Sequence, residues 1–342
     1  MSIVKVAQRA GVSQATVSRV VNNDRNVTPE TALKVREAMR ELGYVPKAPA
    51  LRRGPRRNQD VHLATGNIAF LAKGEDLKVF AHSPVMHDVV RGIESALAER
   101  GLSMIQGAIG GERQIPPIVA RRQVDGLIVW PTLFGMAPEV IEALRSYQIV
   151  YVMSAAMDSL PGDRVKNNNR SIGRLAAEYL ISKGHKVVAH AAMAEMPAAA
   201  ERWAAFAEAA RAQGVEAVQY VIEQRGLDLN DLRNEEVDRS IEAGVAQMLA
   251  SNPRPTGVFA TCDALVARMY PALKNQGVKI GTEMEVISCN NEFALLAGLD
   301  PCPKSIDIRG ELIGRRAVEQ LLWRISNPGD ETCVTVEIDP LF

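Results

Sequence analysis

A short stretch near the amino terminus carries side chains of the kinds that contact nucleic-acid bases and phosphates. Arginine can donate two hydrogen bonds to guanine, glutamine can pair with adenine, and hydroxyl groups suit phosphate oxygens. The polar side chains in this stretch are Ser13, Gln14, Thr16, Ser18, Arg19 and Asn22, and the small Ala15 lies among them. Their close spacing favours one surface that reads DNA.

An element must present these side chains together, and the sequence predicts a short helix. Gly11 can adopt a positive φ at the end of a preceding helix, and Ser13 can cap the next helix. Val17, Val20 and Val21 follow at helical spacing and form one apolar stripe, so the polar side chains point elsewhere. Because so short a helix needs neighbours to be stable, we predict that it is the second helix of a helix-turn-helix.

Two further helices are predicted around it. Apolar residues from Ile3 to Ala10 recur at helical spacing before Gly11. Thr28-Pro29-Glu30 is a strong helix start, and Gly43 ends that helix. Its expected apolar positions are Leu33, the stem of Arg36, Met39 and Leu42, with Val35 and Ala38 beside them. Three short helices in about 43 residues have the size of a helix-turn-helix head.

The charge of the chain is distributed unevenly. The first 57 residues contain 12 Lys and Arg against 4 Asp and Glu, so their formal charge is +8. Because the whole chain has 40 residues of each sign, the remainder carries −8. A basic head on an acidic body is typical of a nucleic-acid-binding domain attached to a domain that does not bind nucleic acid.

Several short motifs occur at fixed spacing in residues 2–46. They are Val6-Ala7, Ala10-Gly11-Val12-Ser13, Thr16-Val17-Ser18-Arg19-Val20, Asn22, Val27-Thr28-Pro29-Glu30-Thr31 and Glu41-Leu42-Gly43-Tyr44-Val45-Pro46. This segment resembles the DNA-binding head of the LacI/GalR family of bacterial transcription regulators. The resemblance implies that Gln14, Ala15 and Arg19 read bases. It also implies that Thr16, Ser18 and Asn22 contact phosphates or brace the helix.

Residues 47–66 are predicted to link this head, residues 1–46, to the rest of the chain. In the family this segment becomes a helix on operator DNA, and a leucine from it wedges into the minor groove. Here Leu51 is the candidate, although it lies closer to Pro46 than the family spacing and Pro49 precedes it. Leu51 as a plain linker residue remains an equal alternative. Arg52 and Arg53 begin a basic arm that can track phosphates.

From residue 67 to the end, apolar strands alternate with amphipathic helices. Strands are expected at 68–72, 102–106, 126–130 and 149–153, and the alternation restarts after residue 165. Continuous apolar strands between helices predict two lobes, each a doubly wound parallel α/β sheet. This part also contains Val124-Asp125-Gly126, Gly184-His185, Arg202 with Phe206, and Cys262-Asp263, which carry a resemblance to a known domain. This part is similar to the periplasmic-binding-protein-like type I effector domain of the same family.

The resemblance implies a small-molecule site between the lobes, at the carboxyl ends of the strands. Family effector positions fall on Arg202, Asp263 and Asn290. Trp130, Phe80 and His82 follow strands or lie nearby, and a tryptophan can stack on a sugar face. Arg202 pairing with a structural carboxylate and Trp130 lying in the core are the alternatives.

The chain departs from the family where a sugar would bind. Asn168-Asn169 occurs where the family commonly has Asp-Asn, and Ser288-Cys289-Asn290-Asn291 occurs in place of the family's Gly-Phe-Asp-Asp. Lost carboxylates change which hydroxyls or charges such a site prefers. The expected effector is a sugar or a sugar derivative only as the family default.

Other classes of function fit poorly. The glycine-rich residues 107–111 lack dinucleotide or P-loop spacing, and the five histidines form no ligand pattern, so we expect no enzyme, no cofactor and no metal. Without a signal peptide or an apolar run, a cytosolic protein with no membrane partner is expected. The sequence thus predicts a homodimeric regulator of a palindromic operator, with a small molecule as effector. The alternative is a constitutive DNA-binding dimer whose lobes serve only for dimerisation.

Overall fold

A computed structural model describes residues 3–21, 27–44, 63–73, 83–109, 115–130, 136–154, 160–194, 196–222, 229 and 234–342. The chain divides into two units, Met1–Arg57 and Asn58–Phe342, and each is described by itself. No helix in the described ranges has the length and apolar character needed to cross a membrane.

The first unit contains three described helices: α1 (Ile3–Ala10), α2 (Gln14–Val21) and α3 (Pro29–Glu41). Val6 on α1, Val17 on α2 and Val35 on α3 are fully buried and form the centre of a small core. The expected apolar face of α3 is wrong at Leu33, which is 59% exposed, because Val35 and Ala38 face the other helices instead.

The turn between α1 and α2 forms as its residues predict. Gly11 has φ +65, and the Val12 amide donates to the carbonyl of Ala7 at 3.0 Å. The Ser13 hydroxyl accepts from the Thr16 amide at 3.1 Å and so caps α2. These contacts fix the direction in which α2 leaves the turn.

The second unit contains two parallel sheets. Its strands are β1 (Asn67–Lys73), β2 (Ser103–Ile109), β3 (Gly126–Val129), β4 (Ile149–Val152), β5 (Asp163–Asn167), β6 (Val187–Met193), β7 (Glu216–Ile222), β8 (Gly257–Ala260), β9 (Glu285–Cys289), β10 (Lys304–Ile306) and β11 (Thr335–Ile338). Among the described residues the first sheet has the order β11-β5-β4-β3-β1-β2 and the second has the order β10-β9-β8-β6-β7. All strand pairs in these two sheets are parallel, as the alternating pattern predicts.

Helices flank both sheets and define two lobes. Their bounds are α4 (Pro84–Glu99), α5 (Pro117–Ala120), α6 (Pro138–Leu144), α7 (Asn169–Ser182), α8 (Pro197–Ala212), α9 (Glu235–Leu249), α10 (Asp263–Asn275), α11 (Phe293–Leu296) and α12 (Gly310–Ser326). The chain runs from β5 in the first sheet to α7 in the second lobe, and from β10 back to α12 in the first lobe. Late residues therefore complete the first lobe.

Close helix pairs fix the helices that carry the candidate site. A Cβ atom on Gly314 of α12 would lie 2.0 Å from the Val89 carbonyl oxygen of α4. A Cβ atom on Gly173 of α7 would likewise lie 2.0 Å from the carbonyl oxygen of Arg202 on α8. Since a side chain fits at neither position, these helix pairs are in backbone contact, and the backbone of Arg202 is held against α7.

Candidate DNA-reading helix and interlobe site

Helix α2 presents the side chains that the sequence predicted as DNA-reading. Gln14, Ala15 and Arg19 are exposed, whereas Val17 and Val20 are buried on the opposite face. The inward valines hold the helix in place, so its outward side chains can meet a partner without disturbing the core.

The basic groups of the head differ in how they are engaged. Arg9 pairs with Glu41 at 2.7 Å, and Lys34 pairs with Glu30 at 2.8 Å. Arg19 makes no ion pair with any residue that the structure describes. Its guanidinium therefore has its five donors available, the arrangement needed for two hydrogen bonds to guanine.

Two hydroxyl groups expected near phosphates bond to each other. Ser13 Oγ and Thr16 Oγ1 are 2.9 Å apart, in addition to the cap that Ser13 forms. Ser13 is exposed, and Thr16 and Ser18 are half-buried at the edge of the reading surface. Each hydroxyl has one proton to donate, and this contact uses only one of the two, so the other can donate to a phosphate oxygen.

Some of the predicted site residues lie outside the described residues. They are Asn22, Leu51, Arg52, Arg53, Phe80 and His82. Their roles therefore stay predictions.

Arg202 lies inside the second lobe at the carboxyl edge of its sheet. Its side chain extends from α8 and the residue is 4% exposed. Nε donates to Asn169 Oδ1 at 3.0 Å, and Nη1 donates to the Thr261 carbonyl and to Cys289 Sγ. Arg202 thus joins α7 to the ends of β8 and β9 through neutral acceptors, and among the described residues no carboxylate bonds to it, in contrast to the alternative of a structural carboxylate.

Asp263 is the first residue of α10 and is fully buried. It accepts hydrogen bonds from Ser288 Oγ, from Ser305 Oγ at 2.8 Å and from the Glu292 amide at 2.6 Å. Burial raises the pKa of this carboxyl group, although the hydrogen bonds from Ser288 and Glu292 and the charge of Arg202 act in the opposite direction. The carboxylate ties the ends of β9 and β10, and the loop that follows β9, to the start of α10.

Asn290 and Trp130 are half-buried residues that directly follow strands. Asn290 follows β9 with φ +113, and its Nδ2 donates to Glu292 Oε2 at 3.1 Å. Trp130 follows β3 and packs partly against the core of the first lobe, which agrees in part with the core alternative. Both keep a surface at the carboxyl edges of the two sheets.

Sequence reasoning missed Glu292, which touches two of the predicted residues. Its backbone amide bonds to Asp263 and its carboxylate bonds to Asn290. The only signal in the sequence was an acidic residue close after a strand, in the loop where the family carboxylates are absent. Glu292 thus supplies a carboxylate directly after Asn290 and Asn291.

Two family models match the chain. The model for bacterial regulatory proteins, lacI family, matches residues 2–47, and the model for a periplasmic binding protein-like domain matches residues 177–341. Together they span more than half of the chain and include both α2 and the Arg202–Asp263 region. The chain belongs to the LacI family of bacterial regulatory proteins.

Curated relatives of this LacI-family chain are repressors, and the similarity extends over nearly their whole length. It is 28% identical to the HTH-type transcriptional repressor PurR of Pectobacterium atrosepticum, with 99% of this chain and 94% of the relative covered. It is also 28% identical to the Ribose operon repressor of Escherichia coli, with 94% of this chain and 92% of the relative covered. The chain thus aligns with transcriptional repressors through both the head and the lobes.

Solved structures of the LacI family share the fold. A lac repressor dimer bound to operator and the anti-inducer ONPF has a TM-score of 0.64 at 22% identity, covering 100% of this chain and 97% of that one. A complex of the transcriptional regulator CelR with cellobiose has a TM-score of 0.60 at 24% identity, covering 99% and 97%. These likenesses confirm the fold predicted for the head and for the two lobes.

Three grooves in the described part of this LacI-family chain lie away from the predicted effector residues. The largest groove described, about 950 Å³, lies between α5 and α6 and is lined by residues such as Arg122 and Tyr147. Neither it nor the two smaller grooves described on the second lobe are lined by Arg202, Asp263 or Asn290. The described ranges also contain no cluster of three or more side chains that could hold a metal ion.

His190 is a buried histidine in the second lobe that sequence reasoning did not assign. It lies on β6 against the rings of Trp203, Phe206 and Phe259, and neither ring nitrogen has a hydrogen-bond partner in the part of the chain that the structure describes. Burial, with the nearby charge of Arg202, lowers the pKa of His190 to about 3. The imidazole is therefore neutral in the folded protein.

This burial predicts a loss of stability in acid. The unfolded histidine binds a proton below about pH 6.5 while the folded one does not, so unfolding becomes more favourable from that pH down to about pH 3. Between pH 7 and pH 5 the free energy of unfolding should fall by about 2 kcal/mol more in the natural chain than in His190→Leu. Urea denaturation at the two pH values measures this difference. The matched change at exposed His87, His87→Leu, should keep the natural acid sensitivity, and an equal fall in all three proteins contradicts the prediction.

Proposed function

We propose that this chain is a repressor that binds a palindromic operator as a homodimer and is controlled by a small molecule bound between its lobes. The observation that carries the proposal is the exposed Arg19, which forms no ion pair with a described residue, beside Gln14 on the second helix of a basic helix-turn-helix. Two such helices, one from each protomer, would enter successive major grooves about one DNA turn apart.

The division of labour on α2 follows from the chemistry of each side chain. Arg19 and Gln14 would hydrogen-bond to base edges, while Ala15 would offer a methyl contact to a thymine. Ser13, Thr16, Ser18 and Asn22 would hold the phosphate backbone, and Leu51, Arg52 and Arg53 would add contacts from the linker segment 47–66. Reading and anchoring would thus lie on different side chains.

Replacing Arg19 tests this division directly. In Arg19→Ala, discrimination at one operator base pair should fall by about 1–3 kcal/mol, roughly 5- to 150-fold. Arg40→Ala removes the same charge from an exposed position on α3 and should weaken binding to all sequences about equally. Fluorescence anisotropy at fixed salt would compare an operator selected from random DNA with its single-base-pair variants. Equal, sequence-independent losses in both variants would overturn the proposal.

The effector is proposed to be a carbohydrate or a related small molecule in the space between the carboxyl edges of the two sheets. One relative is named a ribose operon repressor, and one structural neighbour holds cellobiose. Asn290 and Trp130, with Phe80 and His82, would contact it directly. Arg202 and Asp263 would shape the site from beneath, because their side chains are buried and bonded to the second lobe.

A constitutive DNA-binding dimer is the second candidate. The observation in its favour is that Arg202 and Asp263 line no groove among those described. A thermal-shift screen of sugars and sugar acids, followed by operator binding with each hit, separates the two. A ligand that both stabilises the chain and changes operator affinity supports the proposed regulator, and a screen without such a ligand supports the constitutive dimer.

A further inference from the structure

The amino-terminal end of α4 receives its cap from the other lobe. Pro84 begins this helix, and the Ser83 hydroxyl that precedes it makes no capping hydrogen bond. The Val85 amide instead donates to Glu292 Oε1 at 3.1 Å, across 207 positions of sequence. Amides in the first turn of a helix have no partner within the helix, so this carboxylate supplies what Ser83 does not.

Glu292 reaches α4 from the second lobe. It lies between β9 and α11, and the residue is only 5% exposed. The other carboxylate oxygen, Oε2, accepts from Asn290, and the backbone amide is fixed by Asp263. The carboxylate is thus held rigidly on the second lobe while it bonds to the first.

The electrostatic surroundings of Glu292 show what its contact with the Val85 amide contributes. Burial raises the pKa of Glu292, although the hydrogen bonds from Asn290 and from the Val85 amide lower it, and the charges of Asp263 and Asp88 raise it further. Asp88 lies on α4 and is paired with Arg91 at 3.0 Å. A buried carboxylate close to other acids is costly, so the α4 amide and the helix dipole are its main compensation from the first lobe.

We propose that Glu292 is a latch between the lobes: its carboxylate caps α4 and so stabilises the closed arrangement without an effector. The consequence for regulation rests on the proposed function, since an effector that bonds Asn290 would shift a group that holds Glu292. The latch itself depends on neither DNA nor effector. Opening the lobes breaks the bond to Val85 and leaves both a helix amide and a carboxylate to find water.

Distances between the lobes test the latch in the full-length chain. Exposed Cys302 and Cys333 are replaced by serine, and spin labels are placed at exposed positions 121, in the first lobe, and 211, in the second. Labelled chain is diluted with unlabelled chain, so that distances within one protomer dominate. Pulsed electron–electron double resonance then gives the interlobe distance distribution in the absence of ligand and DNA.

Four proteins decide the outcome. Glu292→Ala should reduce the ratio of closed to open chains by about tenfold, the effect of losing one charge-assisted hydrogen bond at a helix end. Glu292→Asp keeps the charge but is one methylene shorter and so does not reach the Val85 amide; its lobes should open nearly as often as those of Glu292→Ala. This variant keeps the test decisive if the alanine variant does not fold. Glu292→Gln keeps an acceptor and should fall between these variants and the natural chain. The control Glu283→Ala, at a surface ion pair of the same lobe, should match the natural distribution.

The result that overturns the latch is a natural distance distribution in both Glu292→Asp and Glu292→Gln. Failure of the proposed function is a separate result, because it appears as absent operator or effector binding in the natural chain. A chain that binds no sugar but opens in Glu292→Asp keeps the latch and loses only its regulatory consequence.

Discussion

Arg324→Ala should lower the free energy of unfolding by about 3–5 kcal/mol, because it leaves a buried carboxylate without its partner. Arg324 on α12 donates to Asp163 through Nε at 2.9 Å and through Nη2 at 2.5 Å, and Asp163 is fully buried on β5. Arg324 also holds the carbonyls of Asp330 and Thr332 in the segment that leads to β11. Urea denaturation of the full chain, followed by circular dichroism, measures the loss.

Asp163 gains its other contacts from the same region. Gln320 Nε2 and the Val334 amide also donate to it, at 2.7 and 2.9 Å. Burial by itself would raise the pKa of Asp163, but the hydrogen bonds from Arg324, Val334 and Gln320 outweigh it and lower the pKa. The pair is thus favourable in the ionised state and joins β5, α12 and β11.

A control on the same helix separates burial from pairing. Arg315 of α12 makes a two-pronged contact with Glu99 of α4, at 2.8 Å for each bond, but this pair is exposed to solvent. Arg315→Ala should therefore change stability far less than Arg324→Ala. Equal losses for the two variants would mean that the burial of Asp163 carries no energetic weight.

The fold was largely predictable because its signals are local and repeated. The stripe of Val17 and Val20, the helix start at Thr28-Pro29-Glu30 and the alternation of apolar strands with helices each need only a few neighbouring residues. The strands predicted at 126–130 and 149–153 agree with β3 and β4 within one residue at each end, and those at 68–72 and 102–106 agree with β1 and β2 within three residues. Such signals can be recognised in a single sequence.

Contacts between distant parts of the sequence were not predictable in the same way. Asp163 and Arg324 are separated by 161 positions, and Val85 and Glu292 by 207. Nothing in the local composition says which acid meets which donor so far along the chain, within the first lobe for Asp163 or between the lobes for Glu292. Leu33 shows the same limit within the head: its spacing suits either helix face, and only packing against α1 and α2 decides that Val35 is buried.

The candidate site lies between these extremes. The family resemblance pointed to Arg202 and Asp263, and the structure places both at the carboxyl edge of the second sheet. It also shows that protein groups already occupy much of their bonding capacity, because loops after β8 and β9 fold over them. Residue type and position were thus readable from the sequence, whereas the direction and the partners of each side chain depended on the loops.

Asp263→Ala should also destabilise the chain strongly, by about 3–5 kcal/mol, since it leaves several buried donors without an acceptor. The Glu292 amide and the hydroxyls of Ser288 and Ser305 all bond to this carboxylate, and an unpaired buried donor costs about 1–3 kcal/mol. Part of that cost is recovered because serine hydroxyls rotate to other acceptors. Urea denaturation of the full chain measures this loss as well.

Asp263→Asn separates a supporting role from direct effector contact. Its amide oxygen can still accept from the Glu292 amide, and the serine hydroxyls can turn to accept from its Nδ2, so this variant should lose much less stability. If Asp263 only shapes the site, an effector found by thermal shift should bind Asp263→Asn with an affinity within about threefold of the natural one. A loss of affinity of 100-fold or more in a folded Asp263→Asn would instead assign the carboxylate to direct contact with the effector. A loss of that size is what removal of a charge-assisted hydrogen bond between protein and ligand causes. Calorimetric titration of both proteins with the same ligand distinguishes these results, and a stable Asp263→Ala would refute the bonding scheme on which both rest.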